Sequence, residues 1–128
     1  MSAHHYFRDF SCCDTGMLPW LTVLVELSRT DRTLRDLVAE RIAAFPCSGE
    51  INFKVADTKA AIANVEEVFA RENPEVLRLD GLSLAFGDWR FNLRGSNTEP
   101  LLRLNVESRG DPEKVAAMTR KIAGLVMA

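Results

Sequence analysis

Three successive segments in which large apolar residues alternate with polar or small ones constrain this 128-residue chain more than any other feature. Leu82, Leu84 and Phe86 alternate with Ser83 and Ala85. Trp89, Phe91 and Leu93 alternate with Arg90, Asn92 and Arg94, and Leu102, Leu104 and Val106 with Arg103, Asn105 and Glu107. Successive strand side chains point to opposite faces, so this pattern predicts an antiparallel sheet with one apolar and one polar face. Turn signals separate the segments: Asp80-Gly81, Gly87-Asp88 and a polar loop from Gly95 to Pro100.

The flanks supply the second layer. Ile51, Phe53 and Val55 alternate with Asn52 and Lys54 as a further half-buried strand. Asp57 or Thr58 then caps a helix that turns Ile62, Val65 and Phe69 inward and stops at Asn73-Pro74. Asp111-Pro112-Glu113 opens a last helix with a capping acid, a proline at the first helical position and another acid in the first turn. Its buried stripe is Val115, Met118, Ile122, Leu125 and Val126. The expected class is α+β, a two-layer sandwich of a four-stranded antiparallel sheet with two helices on one face.

Residues before Pro46 read differently. A short aromatic run at residues 6–10 suggests a strand. Leu18, Trp20, Leu21, Leu24, Val25 and Leu27 describe a helix apolar on most sides, which predicts deep burial. Thr33 and Asp36 form a capping pattern for a second helix carrying Leu34, Leu37, Val38, Ile42 and Phe45. Pro46 and Cys47-Ser48-Gly49 end it, giving expected domains of 1–46 and 47–128. Leaving several large apolar side chains in water is unfavourable, each burial being worth about 1.5–3 kcal/mol. Residues 16–45 are therefore the candidate surface for packing on the second domain or for homo-oligomer formation.

Composition excludes several functions. Apolar residues make up 47% of the chain, enough for a sizeable core and too many for intrinsic disorder. A formal net charge of -2 lacks the basic footprint of nucleic-acid binding, yet leaves room for a local anion site. No apolar run is long enough to span a bilayer. Cys12, Cys13 and Cys47 fit neither a disulfide framework nor a zinc spacing, so they read as reduced thiols of a cytoplasmic protein, small apolar fillers rather than ligands.

Chemistry concentrates in Arg94-Gly95-Ser96-Asn97-Thr98-Glu99-Pro100. A guanidinium offers a planar fork to two phosphate oxygens, hydroxyls donate, and a glycine-containing turn directs backbone N–H groups into one concavity. By composition alone an ordinary polar hairpin loop is the better account of these residues, since Ser, Asn, Thr and Gly are what loops contain. The glycine spacing is not that of a Walker or dinucleotide loop.

The runs Asp88-Trp89-Arg90-Phe91-Asn92-Leu93-Arg94, Ser96-Asn97-Thr98-Glu99-Pro100 and Arg103 to Gly110 resemble the last domain of the α-D-phosphohexomutases, the phosphomannomutase/phosphoglucomutase family. In that family an Arg-x-Ser-Asn-Thr-x-Pro loop binds the substrate phosphate. The resemblance implies that Arg94, Ser96, Asn97 and Thr98 are phosphate ligands, with Gly95 where alanine or serine is usual. Met1-Ser2-Ala3-His4 resembles the end of the family's Gly-Glu-Met-Ser-x-His sugar loop, implying sugar contacts for Ser2 and His4 without the motif's glutamate. The match starts at the motif's methionine, so the chain is expected to begin inside a longer pattern. Residues 1–46 would then be a helical fragment, the C-terminal remnant of the sugar-binding α/β domain.

The family moves phosphate between the C6 and C1 oxygens of a hexose through a phosphoserine and an aspartate-rich magnesium loop. Neither occurs here, so magnesium is expected only in the complete enzyme, with no metal ligand or catalytic residue in this chain. The expected partner is a hexose phosphate, mannose or glucose 1- or 6-phosphate, without nucleic acid or membrane. The leading reading is the C-terminal part of a phosphomannomutase, inactive alone. The alternatives are a non-catalytic phosphosugar- or anion-binding module and an interaction domain assembled through its apolar helices. The resemblance also makes the Pro46–Glu50 stretch a candidate hinge for domain closure.

Overall fold

A computed structural model of the chain describes residues 4–96 and 100–128. It contains two compact units, residues 1–40 and 41–128.

The second unit is built on a five-stranded antiparallel sheet of order β1-β5-β4-β3-β2. The strands are β1 (Ile51–Lys54), β2 (Glu75–Leu77), β3 (Leu82–Ala85), β4 (Trp89–Gly95) and β5 (Leu101–Ser108). The α+β sandwich is as expected, with one strand more than the four anticipated. At the edge lies β2, an exposed strand of three residues paired with β3. Alternation is strict where it matters. In β4 the odd positions Trp89, Phe91 and Leu93 are buried, and in β5 Leu102, Leu104 and Val106 are buried.

Two helices cover the apolar face, α3 (Thr58–Ala70) and α4 (Pro112–Val126). Val65 and Phe69 of α3 join Val115, Ile122 and Val126 of α4 in one cluster with Leu82, Leu84, Phe91, Leu93, Leu102, Leu104 and Val106. Phe69 sits at its centre, with ring centroids 5.6 Å from Phe86, 5.8 Å from Trp89 and 5.3 Å from Phe91. Lys121 lies 4.2 Å over the Phe69 ring, while its ammonium also reaches Glu72 at 3.3 Å.

The predicted helix starts are realised in hydrogen bonds. Asp57 accepts from the backbone N–H groups of Lys59 and Ala60, both at 3.0 Å. Asp111 accepts from the Lys114 N–H at 2.8 Å, with Pro112 first in the helix. Each cap satisfies donors that the helix itself leaves unpaired.

The β3–β4 connection is a two-residue turn in which Gly87 has φ +84° and Phe86 donates to the Trp89 carbonyl at 2.9 Å. A first central residue with positive φ matches the twist of the hairpin strands, and glycine reaches it without steric cost. The neighbouring Asp88 carboxylate pairs with Lys114 in the first turn of α4. The hydrogen bond from Lys114 is the main cause holding Asp88 below the usual carboxylate range, and its counterpart raises Lys114. The pair's contribution is complete between the ordinary aspartate and lysine ranges. It fades as pH falls through the lowered Asp88 value or rises through the raised Lys114 value. Solvent screens both groups, so Asp88→Asn is expected to lower Tm slightly at neutral pH and not at all once aspartate is protonated. Thermal melts of both proteins across the acid range check this, and a difference that persists in acid would contradict it.

Pro46 to Gly49 is not a free connector. Pro46 is buried, its carbonyl accepts from Ser108 N–H at 3.1 Å, and Ser48 N–H donates to Val106 at 2.9 Å. The Val106 N–H returns a bond to Ser48 Oγ at 2.9 Å. This stretch continues the pairing beside β5, so the hinge expected from Pro46 to Glu50 would have to break those bonds.

In the first unit, residues 6–10 do not form the expected strand. Arg8–Phe10 is a short 3-10 helix, and Tyr6 makes only an isolated bridge with Asp14. A strand needs a neighbour along its length, which the turn at Ser11 and Cys12, both with φ 53°, denies it. Helix α1 (Met17–Ser28) forms as predicted, but none of its residues is buried. Trp20 is 54% exposed, and Leu21, Leu24 and Val25 are exposed with it, contrary to the deep burial expected from composition. Helix α2 spans Leu34–Ala44. Its start is a reciprocal capping box: Asp36 N–H donates to Thr33 Oγ1 at 3.2 Å, and Thr33 N–H donates to Asp36 Oδ2 at 3.0 Å. The hydrogen bond from the Thr33 backbone N–H, and then that from its hydroxyl to the same carboxylate, lower the Asp36 pKa. Cys12, Cys13 and Cys47 are free and exposed, so they do not serve as the apolar fillers expected.

Candidate functional site

Arg94 stands near the end of β4 on the polar face of the sheet, opposite the helices. Even-numbered residues of β4 take that face because Phe91 and Leu93 occupy the core. Two carboxylates grip its guanidinium. Nη1 donates to Asp80 Oδ2 at 3.1 Å and Nη2 to Glu50 Oε2 at 3.4 Å, leaving the side chain 26% exposed.

The Asp80-Gly81 turn is clamped to β4 from several directions. Asn92 Nδ2 donates to the Asp80 carbonyl at 2.8 Å and to Ser83 Oγ at 2.9 Å. Gly81 has φ +74° and lies so close that a Cβ there would be 2.5 Å from the Leu93 carbonyl oxygen and 2.7 Å from Arg94 Cα. Asp80 is thus set against Arg94 by backbone contact as well as by charge. The turn is longer than the two residues expected, because Leu77 pairs with Ser83 and four residues connect the strands.

Across the ladder, Arg94 faces Arg103 of β5 directly, and Asn92 faces Asn105. Like charges opposed on one face repel. Glu50 lies between them, its Oε1 3.8 Å from Arg103 Nε while its Oε2 takes the Arg94 bond. Among the described residues, the Nε atoms of both arginines are buried without a hydrogen-bond partner.

Ser96 follows at the start of the hairpin loop, half-buried, its N–H donating to the Leu101 carbonyl at 2.8 Å. Gly95 has an ordinary φ, and a Cβ would come no nearer than 4.0 Å to Thr58 Oγ1, so the small residue usual at this place would fit. Arg94 and Ser96 both stand at the mouth of this loop. Asn97 and Thr98 lie outside the described residues, as does Ser2. His4 belongs to the other unit, where its Nδ1 is 2.5 Å from Asp14 Oδ2 and the side chain is 54% exposed.

The arrangement offers a half-buried guanidinium platform at a sheet end. A separate open cleft of about 610 Å³, with Lys54, Asp57, Asn64 and Leu125 among its walls, does not include Arg94. A small anion needs donors converging on a few ångströms, not that volume, so the chemistry favours the arginine platform. Among the described residues, no group of three or more His, Cys, Asp or Glu side chains could hold a metal ion. Nor is any described helix long and apolar enough to cross a membrane.

Glu50, Asp80, Gly81 and Arg103 were not expected at the site from the sequence. Arg103 carried a signal, being a second arginine on the polar face. The other three become visible only when distant segments meet.

Comparison with known proteins gives two matches to family models. Residues 50–125 match the phosphoglucomutase/phosphomannomutase C-terminal domain, and residues 1–45 match the alpha/beta/alpha domain III of the same proteins. The phosphomannomutases of Salmonella typhimurium and Escherichia coli K12 are each 58% identical over 98% of this chain. A phosphohexose mutase of Xanthomonas campestris is 56% identical over the same share. The chain spans 28% of the length of these curated relatives.

Proposed function

The chain belongs to the phosphoglucomutase/phosphomannomutase family, and from that premise we propose that it is the phosphate-holding C-terminal part of a phosphomannomutase. In this reading residues 47–128 are the phosphate-binding domain and residues 1–46 the end of the sugar-binding domain. The complete enzyme interconverts mannose 6-phosphate and mannose 1-phosphate. Two similar relatives bear the name phosphomannomutase, which supports mannose as the sugar.

The observation that carries the reading is Arg94, buttressed by Asp80 and Glu50 beside Ser96 with its fork still partly open to solvent. Ser96 and Thr98 would donate hydroxyl protons and Asn97 its amide. Holding the phosphate that is not reacting fixes the far end of the substrate, and such remote binding lowers the barrier at the reacting end. Transfer itself requires the phosphoserine and magnesium loops that this sequence lacks, so the chain alone is inactive. Magnesium belongs to the complete enzyme, and no residue here is assigned to it. Ser2 and His4 would face sugar hydroxyls there. The exposed thiols, unpaired among the described residues, support a cytoplasmic setting.

Titration of the chain with mannose 1-phosphate, inorganic phosphate and mannose, followed through backbone amides by NMR, tests the reading. Shifts centred on residues 94–98 are expected with both phosphates and not with mannose. Arg94→Ala should weaken them by about tenfold or more, the worth of a charge-assisted hydrogen bond. Equal shifts with mannose, or shifts indifferent to Arg94→Ala, would overturn it.

A further inference from the structure

We propose that Arg103 is a second phosphate-binding arginine, and that Glu50 is a built-in competitor that occupies the two guanidinium groups until a phosphate arrives. The inference rests on the phosphate-holding reading of Arg94 and extends it across the ladder to a residue outside the loop.

Three observations converge. Arg94 and Arg103 are direct cross-strand partners on the polar face, so their stems rise side by side. One carboxylate bridges them, with Glu50 Oε2 3.4 Å from Arg94 Nη2 and Oε1 3.8 Å from Arg103 Nε. Two guanidinium groups that face the two oxygens of one carboxylate are spaced to meet two oxygens of a phosphate, an anion of similar bite and greater charge. Finally, both Nε atoms are buried without a hydrogen-bond partner among the described residues. Buried donors are normally paired, so each carries binding capacity that the present contacts leave unused.

The long Glu50 contacts fit a competitor rather than a tight structural bridge. Charge-assisted N–H···O bonds settle near 2.7–2.9 Å, well inside both distances. Glu50 is 40% exposed and Arg103 31% exposed, so the carboxylate has a solvated position to swing into. Asp80, on the other side of Arg94, is anchored through its own backbone by Asn92 and stays. The ligand class is a phosphate monoester dianion or inorganic phosphate, bound between Arg94 and Arg103 at the Glu50 position.

Phosphate titrations of the full chain separate this from a purely structural role. Sodium chloride at matched ionic strength controls for screening. Inorganic phosphate should shift the Nε–H resonances of both arginines in the wild type. Arg103→Gln should weaken binding by about tenfold, with Arg103→Lys between it and the wild type. Glu50→Gln should tighten binding severalfold, because it removes the competing charge while keeping the side chain's shape. That gain does not depend on whether the arginine variants fold well.

If Glu50→Gln and Arg103→Lys change Tm but leave phosphate affinity untouched, the bridge only neutralises opposed charges and the inference fails. Should Arg94→Ala abolish binding in that case, the proposed function survives without it. If phosphate moves neither Nε–H resonance, and neither the wild type nor Glu50→Gln binds at residues 94–98, both fall together.

Discussion

Replacing Gly81 with alanine is expected to destabilise the second unit by more than 2 kcal/mol, beyond the roughly 1–2 kcal/mol of a left-handed backbone alone, and to cost the chain its phosphate response. Two penalties coincide at this residue. With φ +74°, Gly81 occupies the left-handed region, where a Cβ crowds its own backbone. The new methyl would also lie 2.5 Å from the Leu93 carbonyl oxygen and 2.7 Å from Arg94 Cα. Both are backbone or near-backbone atoms of a central strand, so no side-chain rotation relieves the clash. The turn must lift away, and Asp80 leaves Arg94 with it.

Gly87→Ala is the control. Gly87 also has positive φ, +84°, but a Cβ there meets nothing within 4 Å. It should lose only the conformational part, about 1 kcal/mol or slightly more. Urea unfolding of the two variants, with phosphate titration of each, distinguishes the effects. Equal losses at both positions would mean that close packing of the turn on Arg94 contributes nothing.

Phe69→Ala is the second large effect, at an expected 3–5 kcal/mol. The side chain is fully buried, touches three aromatic rings of the sheet and carries Lys121 on its face. Small domains are stable by only about 5–15 kcal/mol in total, so this loss would leave the fold marginal or unfold it. Phe69→Leu should recover part of the stability by refilling some of the space. The midpoint of urea unfolding measures both. A loss below about 1 kcal/mol for alanine would mean that the aromatic cluster collapses around the gap without cost.

Most of the sandwich was legible because it rests on local rules. Alternation at Trp89 to Arg94 and Leu102 to Glu107 separates the two sheet faces whatever the strands pair with. Asp57, Asp111 and the Thr33–Asp36 pair start helices through bonds spanning two or three residues. The arginine at the head of the hairpin loop was likewise visible, since the end of the alternation leaves Arg94 and Ser96 beside each other at the sheet end.

Sequence could not supply register or partners. Alternation requires Leu93 and Leu104 to share a face, but a slip of two residues preserves that while setting Arg94 opposite Leu101 instead of Arg103. Only the closed hairpin, with Ser96 bonded to Leu101, makes the arginines neighbours. Glu50 and Asp80 reach Arg94 from 44 and 14 residues away, and nothing local to either announces it. Helix α1 is the converse: its apolar residues promised burial, yet hydrophobicity states only a preference, and a covering surface must be present to satisfy it. The sequence by itself thus determined the faces, the helix starts and the place of the loop, because neighbouring residues encode periodicity and capping. The tertiary structure alone decided which charges meet at Arg94, because that depends on the pairing of strands and on segments brought together from across the chain.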